Sequence, residues 1–430
     1  MTTQTKKRKK WQLSATFFKE FKRCAMACKL KYVLGLVPAE ESDVLRVGTN
    51  WHSTLEIMKL VIPCPACSAN GGDLTPCQAC NATGIQDPLV AVVDRLNECY
   101  KEVPTSKTRE EWLTERAILL YSLCGYNWRY ETDDYETIAT EVEFNLPVLS
   151  PATGRALPNV TLKGKIDKIV RAPNGVPCID EHKSTGKGVE SDSLFWSHLT
   201  LDTQTKLYPY AAQRMQLAGD LEKYGIKASD PLIRTVRYDA WHKPGIKPKK
   251  LTQGDSKKFV ETGEYMGKKF EVECIFEDII DKKTGEVVAR AILNGSKIAG
   301  ELMDITNGAK AGAYQIRETP DMYGQRLLTD IGERPDFYFA RQEIIRTDDE
   351  LKAFEREIYN MYHTIKFMSN NDTWWTNEAA CEDKFRCSYI PICYNRLDVS
   401  NGTVPEGFKQ LAFARKDKDH GNQTTDNSSS

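Results

Sequence analysis

Residues 160–183 read VTLKGKIDKIVRAPNGVPCIDEHK, and they carry the clearest structural signals in the sequence. Both of its ends partly alternate apolar and polar residues, which is typical of β-strands. Between them lies APNG at 172–175, in which Asn-Gly is a strong signal for a tight turn. The stretch therefore predicts a β-hairpin that carries Asp167 on its first strand and Glu181 and Lys183 on its second.

The three charged residues of this hairpin suggest a chemistry. Glu181 and Lys183 are two positions apart, so they project from the same face of a strand, and pairing across the hairpin can bring Asp167 beside them. Two neighbouring carboxylates bind a hard divalent cation through oxygen, and an adjacent lysine can stabilise charge on a phosphate or orient an attacking water. A solvated surface hairpin with a salt bridge would explain the same short pattern.

Polar residues outside the hairpin could complete a site. Gln204 and Tyr208 are four positions apart on the next expected helix, so they share one face. An amide and a phenol there could position the lysine, a water or a phosphate. His52, on an earlier expected helix, could supply a neutral nitrogen ligand. These neighbours favour an active site over a solvated hairpin.

The flanking sequence predicts further elements around the hairpin. Alternation indicates strands, and apolar residues at helical spacing indicate helices. We expect strands at 138–148 and 233–241, and helices at 14–36, 42–60, 203–218 and 350–368. A Lys/Gly/Pro-rich stretch from 243 to about 258 is interpreted as a loop. The sequence contains no GxxxxGK[ST] phosphate loop, which argues against an ATP-driven motor within this chain.

Composition limits the classes of function. The 430 residues are 40% hydrophobic with a formal net charge of −1, so a nucleic-acid surface would have to be local. Lysines concentrate at 6–10 and at 243–258, the latter near Trp241, where cations and a ring could follow a phosphate backbone and stack bases. A solvated tail and loop explain them equally well. Without a membrane-spanning run or a signal peptide, we expect a soluble, cytoplasmic protein.

Four of the 13 cysteines form two C-x-x-C pairs, CPAC at 64–67 and CQAC at 77–80. A glycine lies four residues beyond each pair, which permits the tight backbone turn of a metal knuckle. Four thiolates make a closed tetrahedral site that suits structural Zn²⁺. The predicted ligands are Cys64, Cys67, Cys77 and Cys80. The zinc site would staple a long insertion or guide DNA toward the active site.

Four motifs taken in order resemble those of the PD-(D/E)XK nucleases. They are Gly48…His52, Gly164-x-x-Asp167, Glu181-x-Lys183 and Gln204-x-x-x-Tyr208. Together they resemble the RecB-like branch, which includes AddB and CRISPR-associated exonucleases. The segments RYDAWHKP and PDFYFARQEI also look like those of phage-encoded members. The resemblance runs from about residue 14 to residue 393 and is loose between 213 and 335.

The resemblance implies an α/β fold with a mixed central sheet flanked by helices. It also implies Mg²⁺ or Mn²⁺ held by His52, Asp167 and Glu181, with Lys183 as the catalytic lysine. Gln204 and Tyr208 would be supporting residues. Asp180 precedes Glu181 and could be the motif acid instead. Strand alternation favours Glu181, because Asp180 should face away from Lys183.

A second set of cysteines resembles the ligands of the iron–sulfur members of that branch. There, one cysteine precedes the nuclease core and three follow it, holding a [4Fe–4S] cluster. The matching residues here are Cys24, Cys381, Cys387 and Cys393, although Cys381 is farther from Cys387 than usual, and Cys28 could replace Cys24. A cluster there would clasp the two ends of the chain. A zinc site or scattered buried thiols are the alternatives.

These inferences predict a metal-dependent DNA exonuclease acting on single-stranded DNA or duplex ends in recombination or repair, with a helicase or recombination protein as a conceivable partner. A structure-specific endonuclease, a non-catalytic DNA-binding scaffold and a cysteine-based redox sensor are the alternatives. If phage-encoded, the protein would work in the host cytoplasm. The expected units are a disordered basic arm (1–12), N-terminal helices (13–62), a zinc-binding insertion (63–87), a helical segment (88–135), the nuclease core with its lysine-rich insertion (136–370), a cysteine clasp (371–400) and a mostly disordered tail (401–430).

Overall fold

The structure is a computed structural model. It describes residues 10–40, 42–69, 77–270, 274–280, 284, 287–294, 302–307, 314–383 and 386–411. Most of the expected basic arm, with lysines 6, 7 and 9, and the polar tail from residue 412 onward lie outside the described residues.

The strands and helices are numbered here in chain order. The strands are β1 (Trp11–Leu13), β2 (Leu36–Pro38), β3 (Glu136–Leu149), β4 (Ala156–Arg171), β5 (Pro177–Thr185), β6 (Thr235–His242), β7 (Glu264–Tyr265), β8 (Lys268–Lys269), β9 (Cys274–Ile280), β10 (Val287–Asn294), β11 (Leu302–Asn307), β12 (Tyr314–Gln315), β13 (Phe339–Ile345) and β14 (Phe408–Gln410). The helices are α1 (Ala15–Arg23), α2 (Ala25–Cys28), α3 (Asp43–Ile57), α4 (Pro65–Ala69), α5 (Pro88–Cys99), α6 (Arg109–Arg129), α7 (Leu194–Leu199), α8 (Gln204–Leu217), α9 (Gln253–Thr262), α10 (Pro320–Glu333), α11 (Pro335–Tyr338), α12 (Asp348–Asn371) and α13 (Ile390–Tyr394).

The main sheet has six strands and is mixed. Strand β4 pairs antiparallel with β3 along one edge, and with β1 (parallel) and β5 (antiparallel) along the other. Strand β5 then pairs in parallel with β6, which pairs antiparallel with β13. The hairpin that the sequence predicts is β4–β5, so it lies in the middle of this sheet.

The hairpin turns where Asn-Gly predicts it. The Gly175 amide donates to the Ala172 carbonyl at 2.8 Å, and Gly175 has a φ of +83°, which glycine adopts without strain. Backbone pairing runs from Arg171 opposite Pro177 to Lys168 opposite Asp180. The predicted acids therefore lie one residue beyond the last paired position of each strand.

Helices cover both faces of the sheet, because each face presents apolar side chains. One core joins β3–β6 to α1, α8 and α12, through residues such as Phe18, Leu207 and Phe354. A second core on α3, α5, α6 and α10 includes Trp51 and Tyr323. This is the α/β fold with a mixed central sheet flanked by helices, so the predicted fold class is confirmed.

Some boundaries differ from the sequence-based expectation. Trp11 and Gln12 are not part of a disordered arm: they belong to β1, and Trp11 is buried against the main core. The stretch from 243 to 258 is not all loop, because α9 begins at Gln253, where the Thr252 side chain accepts a hydrogen bond from the Asp255 amide. Near the tail, β14 pairs with β2. Within the described residues, no helix has the length and apolar character needed to span a bilayer.

Candidate active site

The ends of β4 and β5 bring the two predicted acids together. The Asp167 amide donates to Glu181 Oε1 at 3.1 Å, and the His182 amide donates to Asp167 Oδ2 at 3.2 Å. Each carboxylate thus accepts a hydrogen bond from a backbone N–H of the other strand, directly after the last backbone pair between β4 and β5. Gly164 in the same motif permits close packing, since a Cβ there would lie 2.4 Å from the Phe144 ring.

Gln204 connects the catalytic candidates across the site. Its Oε1 accepts a hydrogen bond from Lys183 Nζ at 3.1 Å, and its Nε2 donates to Glu181 Oε2 at 2.8 Å. The start of α8 is itself fixed, because the Gln204 amide donates to Asp202 Oδ1 at 2.8 Å and Lys19 Nζ donates to Asp202 Oδ2 at 2.7 Å. One amide side chain therefore sets the relative position of an acid and an ammonium group.

Helix α3 places His52 beside the first acid. His52 Nδ1 lies 3.4 Å from Asp167 Oδ2. Gly48, one turn earlier on the same helix, lets α3 approach β5, since a Cβ there would lie 3.3 Å from Ser184 Oγ. Tyr208 is buried one turn after Gln204 and packs edge-on against Phe144. The structure therefore brings the predicted residues of all four motifs into one region.

The electrostatics of the site follow from a buried acid, Glu181, beside the partly exposed Asp167 and Lys183. Burial and then the charge of Asp167 raise the pKa of Glu181 well above its usual value. Burial alone would raise the pKa of Asp167, but the hydrogen bond and charge of His52 lower it. Burial and the like charge of Lys19 lower the pKa of Lys183, against the opposing effect of nearby carboxylates. A bound cation would therefore stabilise the charged forms of the neighbouring Asp167 and Glu181 carboxylates.

A cavity of about 710 Å³ opens on these side chains. The two acids, Lys183 and Gln204 line it, and so do residues of helix α3, including His52. Lys59, Lys165 and Lys168 also line it. The cavity can therefore admit a polyanionic chain to the acids, with cations around it.

The donor set fits a hard divalent cation, although its geometry is not closed. Two carboxylates and an imidazole suit Mg²⁺ or Mn²⁺, and such an ion would offset the repulsion between the buried Glu181 and the neighbouring Asp167. Among the described residues, however, His52, Asp167 and Glu181 are not a set whose ligand atoms all lie within 4.8 Å of one another. Both Glu181 oxygens instead accept hydrogen bonds, from the Asp167 amide and from Gln204.

Asp180, the alternative motif acid, lies outside this group. Its carboxylate accepts two hydrogen bonds from Arg237. Burial would raise the pKa of Asp180, but the pairing with Arg237 outweighs this effect and lowers the pKa to about 2. Next to it, His182 Nε2 is 2.7 Å from Lys168 Nζ, and burial lowers the pKa of His182 to about 4. The structure therefore places Glu181, not Asp180, beside Lys183, as strand alternation predicts.

Sequence reasoning missed several residues that surround the site. Asp202 anchors Gln204, and Lys168 lies between the site and the buried Asp180–Arg237 pair. Tyr238 of β6 is opposite Glu181 in the parallel pairing. The position of Asp202 two residues before Gln204 was a usable signal for a helix start. The other two depend on strand register, which a single sequence does not disclose.

The first cysteine set converges. The Sγ atoms of Cys64, Cys67, Cys77 and Cys80 all lie within 4.8 Å of one another. Two of the distances are 3.8 Å (Cys64–Cys77) and 3.5 Å (Cys67–Cys80). Four sulfurs at about 2.3 Å from one zinc ion would be about 3.8 Å apart in a tetrahedron. These residues are therefore a four-cysteine candidate metal site.

The second cysteine set lies where the two ends of the described chain meet. Cys24, Cys387 and Cys393 pack in one cluster with Tyr389, and burial and neighbouring thiols raise the pKa of Cys381. These four do not form a single-ion group within 4.8 Å. Thiolates of an iron–sulfur cluster bind different irons, so they stand farther apart than ligands of one ion. Cys28, one helical turn after Cys24, packs in the main core rather than in this cluster.

Trp241 does not offer a surface for bases. Its side chain is only 1% exposed and stacks on Trp51, with ring centroids 4.0 Å apart. The expectation that it stacks a base is wrong, because the ring closes the core between β6 and α3. Trp374 is also buried, whereas Trp375 is half exposed and lies against Phe21.

Comparison with known proteins agrees with this geometry. No curated protein matches the chain. A family model described as the PD-(D/E)XK nuclease superfamily matches residues 12–394, which include the central sheet, α3 and α8. The chain therefore belongs to the PD-(D/E)XK nuclease superfamily, which implies a nucleic-acid substrate and a divalent metal ion.

Proposed function

We propose that this protein is a metal-dependent deoxyribonuclease of the RecB-like branch, an exonuclease that acts on DNA ends in recombination or repair. The observation that carries the proposal is the network in which Gln204 joins Lys183 to Glu181 beside Asp167, on the wall of the large cavity. Action on ends rests on the resemblance of the four motifs to RecB-like exonucleases.

In phosphodiester hydrolysis, the residues of this site would have different roles. Asp167, Glu181 and His52 would hold the divalent ion, which supplies Lewis-acid polarisation of the phosphate and a more acidic bound water. Lys183 puts a positive charge where negative charge develops on the phosphate in the transition state. Gln204 orients that ammonium group, and Tyr208, buried one helical turn later on α8, is its supporting residue.

DNA of defined topology tests the proposal. Linear single- and double-stranded DNA with labelled ends, and covalently closed circles, are incubated with Mg²⁺ or Mn²⁺. The matched variants are Asp167→Ala in the site and Asp134→Ala at an exposed position. Progressive shortening of linear DNA by the wild type and Asp134→Ala, but not by Asp167→Ala, is the expected result.

The other outcomes identify the alternatives. Nicking or linearisation of circles would mean a structure-specific endonuclease. Metal-dependent DNA binding with no cleavage of any substrate would mean a non-catalytic scaffold of the same fold. RecB-like domains occur within larger complexes, so a helicase or recombination protein is the partner that we propose to look for.

We further propose a structural Zn²⁺ on Cys64, Cys67, Cys77 and Cys80, supported by the convergence of their sulfurs. The second set, Cys24, Cys381, Cys387 and Cys393, is proposed to hold a [4Fe–4S] cluster. Its support is the packing of Cys24 with Cys387 and Cys393, together with the resemblance to iron–sulfur nucleases.

A further inference from the structure

Tyr238 occupies a central position next to the candidate active site. It lies on β6, directly opposite Glu181 in the parallel pairing with β5. Residues opposite each other in adjacent strands project from the same face, so Tyr238 shares a face with Glu181 and Lys183. The Lys183 Nζ atom is 6.0 Å from the centre of the tyrosine ring.

The hydroxyl of Tyr238 is buried without a partner. The residue is 0% exposed, and among the described residues its hydroxyl has no hydrogen bond. Other buried tyrosines of this protein do find partners: the Tyr323 hydroxyl donates to the Ile246 carbonyl at 3.0 Å, and the Tyr389 hydroxyl donates to the Leu36 carbonyl at 2.9 Å. An unpaired buried hydroxyl costs roughly 1–3 kcal/mol, so its position needs a reason.

The acids of the active site lie within electrostatic reach of that hydroxyl. Burial raises the pKa of Tyr238 well above its usual value, and the negative charges of Glu181, Asp202 and Asp167 raise it further. Tyr238 is therefore a neutral donor on the same face of the sheet as the Glu181 carboxylate.

We propose that Tyr238 is a positioning residue whose hydroxyl donates to the Glu181 carboxylate when the divalent ion is bound, and so orients that carboxylate toward the ion. Glu181 is otherwise held by the Asp167 amide and by Gln204, both of which draw its oxygens into the protein. A third donor on the β6 side lets the carboxylate turn toward the cavity while keeping a partner. The inference rests on the proposed metal-dependent nuclease function.

The substitution Tyr238→Phe tests this inference because it removes only the hydroxyl. If the hydroxyl were merely an unpaired buried group, its removal would leave Mn²⁺ affinity unchanged and would raise or preserve thermal stability. Under the proposal, Mn²⁺ affinity measured by calorimetry without DNA falls about tenfold, as for other groups that orient metal ligands. Unfolding without metal stays at or above the wild-type midpoint.

Tyr323→Phe is the matched control. Tyr323 is equally buried but uses its hydroxyl in a backbone hydrogen bond in the second core, so this variant loses stability and keeps Mn²⁺ affinity. If wild-type protein binds Mn²⁺, Asp167→Ala abolishes that binding and Tyr238→Phe leaves it unchanged, then only the role of Tyr238 is overturned. Wild-type protein that neither binds Mn²⁺ nor cleaves DNA overturns the proposed function as well.

Discussion

At the scale of single residues, Lys183 has neighbours that act on its charge in opposite directions. Burial and the like charge of Lys19 lower its pKa, whereas Asp202 and Glu181 favour the ammonium form. The same ammonium group donates to Gln204, which ties it to Glu181. The hydrogen bond to Gln204 thus sets the direction of the Lys183 side chain, and the nearby acids favour its charged form.

Replacing Lys183 with methionine should abolish most cleavage while preserving the fold. The apolar stem keeps its packing, but the charge that stabilises the phosphate is lost, so we expect cleavage to fall by about 10²-fold or more. The measurement is the initial rate on end-labelled DNA with Mn²⁺, alongside thermal unfolding. Lys187→Met, four residues later at an exposed position, is the control and should cut normally. Normal cleavage by Lys183→Met would remove Lys183 from the mechanism.

Asp202 makes the stability of the site depend on pH. Burial would raise its pKa, but the charge and hydrogen bond of Lys19 hold it below the ordinary value of 3.8. A carboxyl with a depressed folded pKa contributes stability above its ordinary pKa and loses it as the pH falls through the folded value. We expect Lys19→Met to lower the free energy of unfolding by about 1 kcal/mol at pH 7.

This difference from wild type should shrink as the pH falls from 3.8 toward the lower folded pKa of wild-type Asp202, because the carboxyl becomes protonated first in the variant and only at lower pH in the wild type. Denaturant unfolding at several pH values measures it. Lys257→Met, which breaks an exposed pair with Glu261, serves as the control and should change little at any pH. A Lys19→Met deficit that is constant from pH 7 to pH 3 would show that the pair does not act through the charge of Asp202.

Among the helices and strands, local sequence patterns correctly predicted those elements whose formation depends on residues close together in the chain. The β4–β5 hairpin followed from alternation and from Asn-Gly, and α8 followed from its helical spacing. Strand β1 is three residues long, too short for a period, and pairs in parallel with a strand about 150 positions away. The position of Tyr238 opposite Glu181 likewise depends on register between distant strands. Such contacts leave no local signal.

Helices α6 and α10 pack so closely that small residues are needed between them. A Cβ at Gly324 on α10 would lie 2.2 Å from the Tyr121 ring on α6. Gly324→Ala should therefore lower the free energy of unfolding by about 1–3 kcal/mol, the usual cost of overpacking. Gly332→Ala on the same helix is the control, since a Cβ there meets nothing within 4 Å. Alanine's higher helix propensity should make that variant neutral or more stable by up to about 1 kcal/mol.

Denaturant unfolding compares the two glycine variants directly. Because α10 lies in the second core rather than at the acids, Mn²⁺ affinity should survive in both. Equal stability of Gly324→Ala and Gly332→Ala would mean that the Tyr121 ring moves aside at no cost. The helix pair would then tolerate a wider spacing than the structure has.

At the scale of the whole molecule, the two ends of the described chain meet on one side of the nuclease core. Strand β14 pairs with β2, and the Arg23 side chain donates to the Ala380 carbonyl and to Cys387 Sγ. The Asn377 side chain donates back to the Arg23 carbonyl. Helix α1, whose Lys19 anchors the start of α8, is thus tied at its end to the C-terminal cysteines. The sequence indicated the cysteines, but only the resemblance joined them to Cys24.

The two cysteine sets should load different metals independently. The thiols of the first set converge closely enough for one ion, and the second set is proposed to hold a [4Fe–4S] cluster, so the purified protein should contain about one zinc and about four irons per chain. Cys67→Ser should then lose zinc and retain iron, and Cys393→Ser should lose iron and the brown colour while retaining zinc. Elemental analysis and visible absorbance measure both.

Cys99→Ser, at a half-buried cysteine outside both sets, is the control and should retain both metals. Loss of iron removes the tie between α1 and the C-terminal segment, so Cys393→Ser should also unfold at a lower temperature and become susceptible to proteolysis near residue 390. A stable, colourless protein that contains zinc but no iron would eliminate the cluster. The contacts of Arg23, Asn377 and β14 alone would then hold the chain ends together.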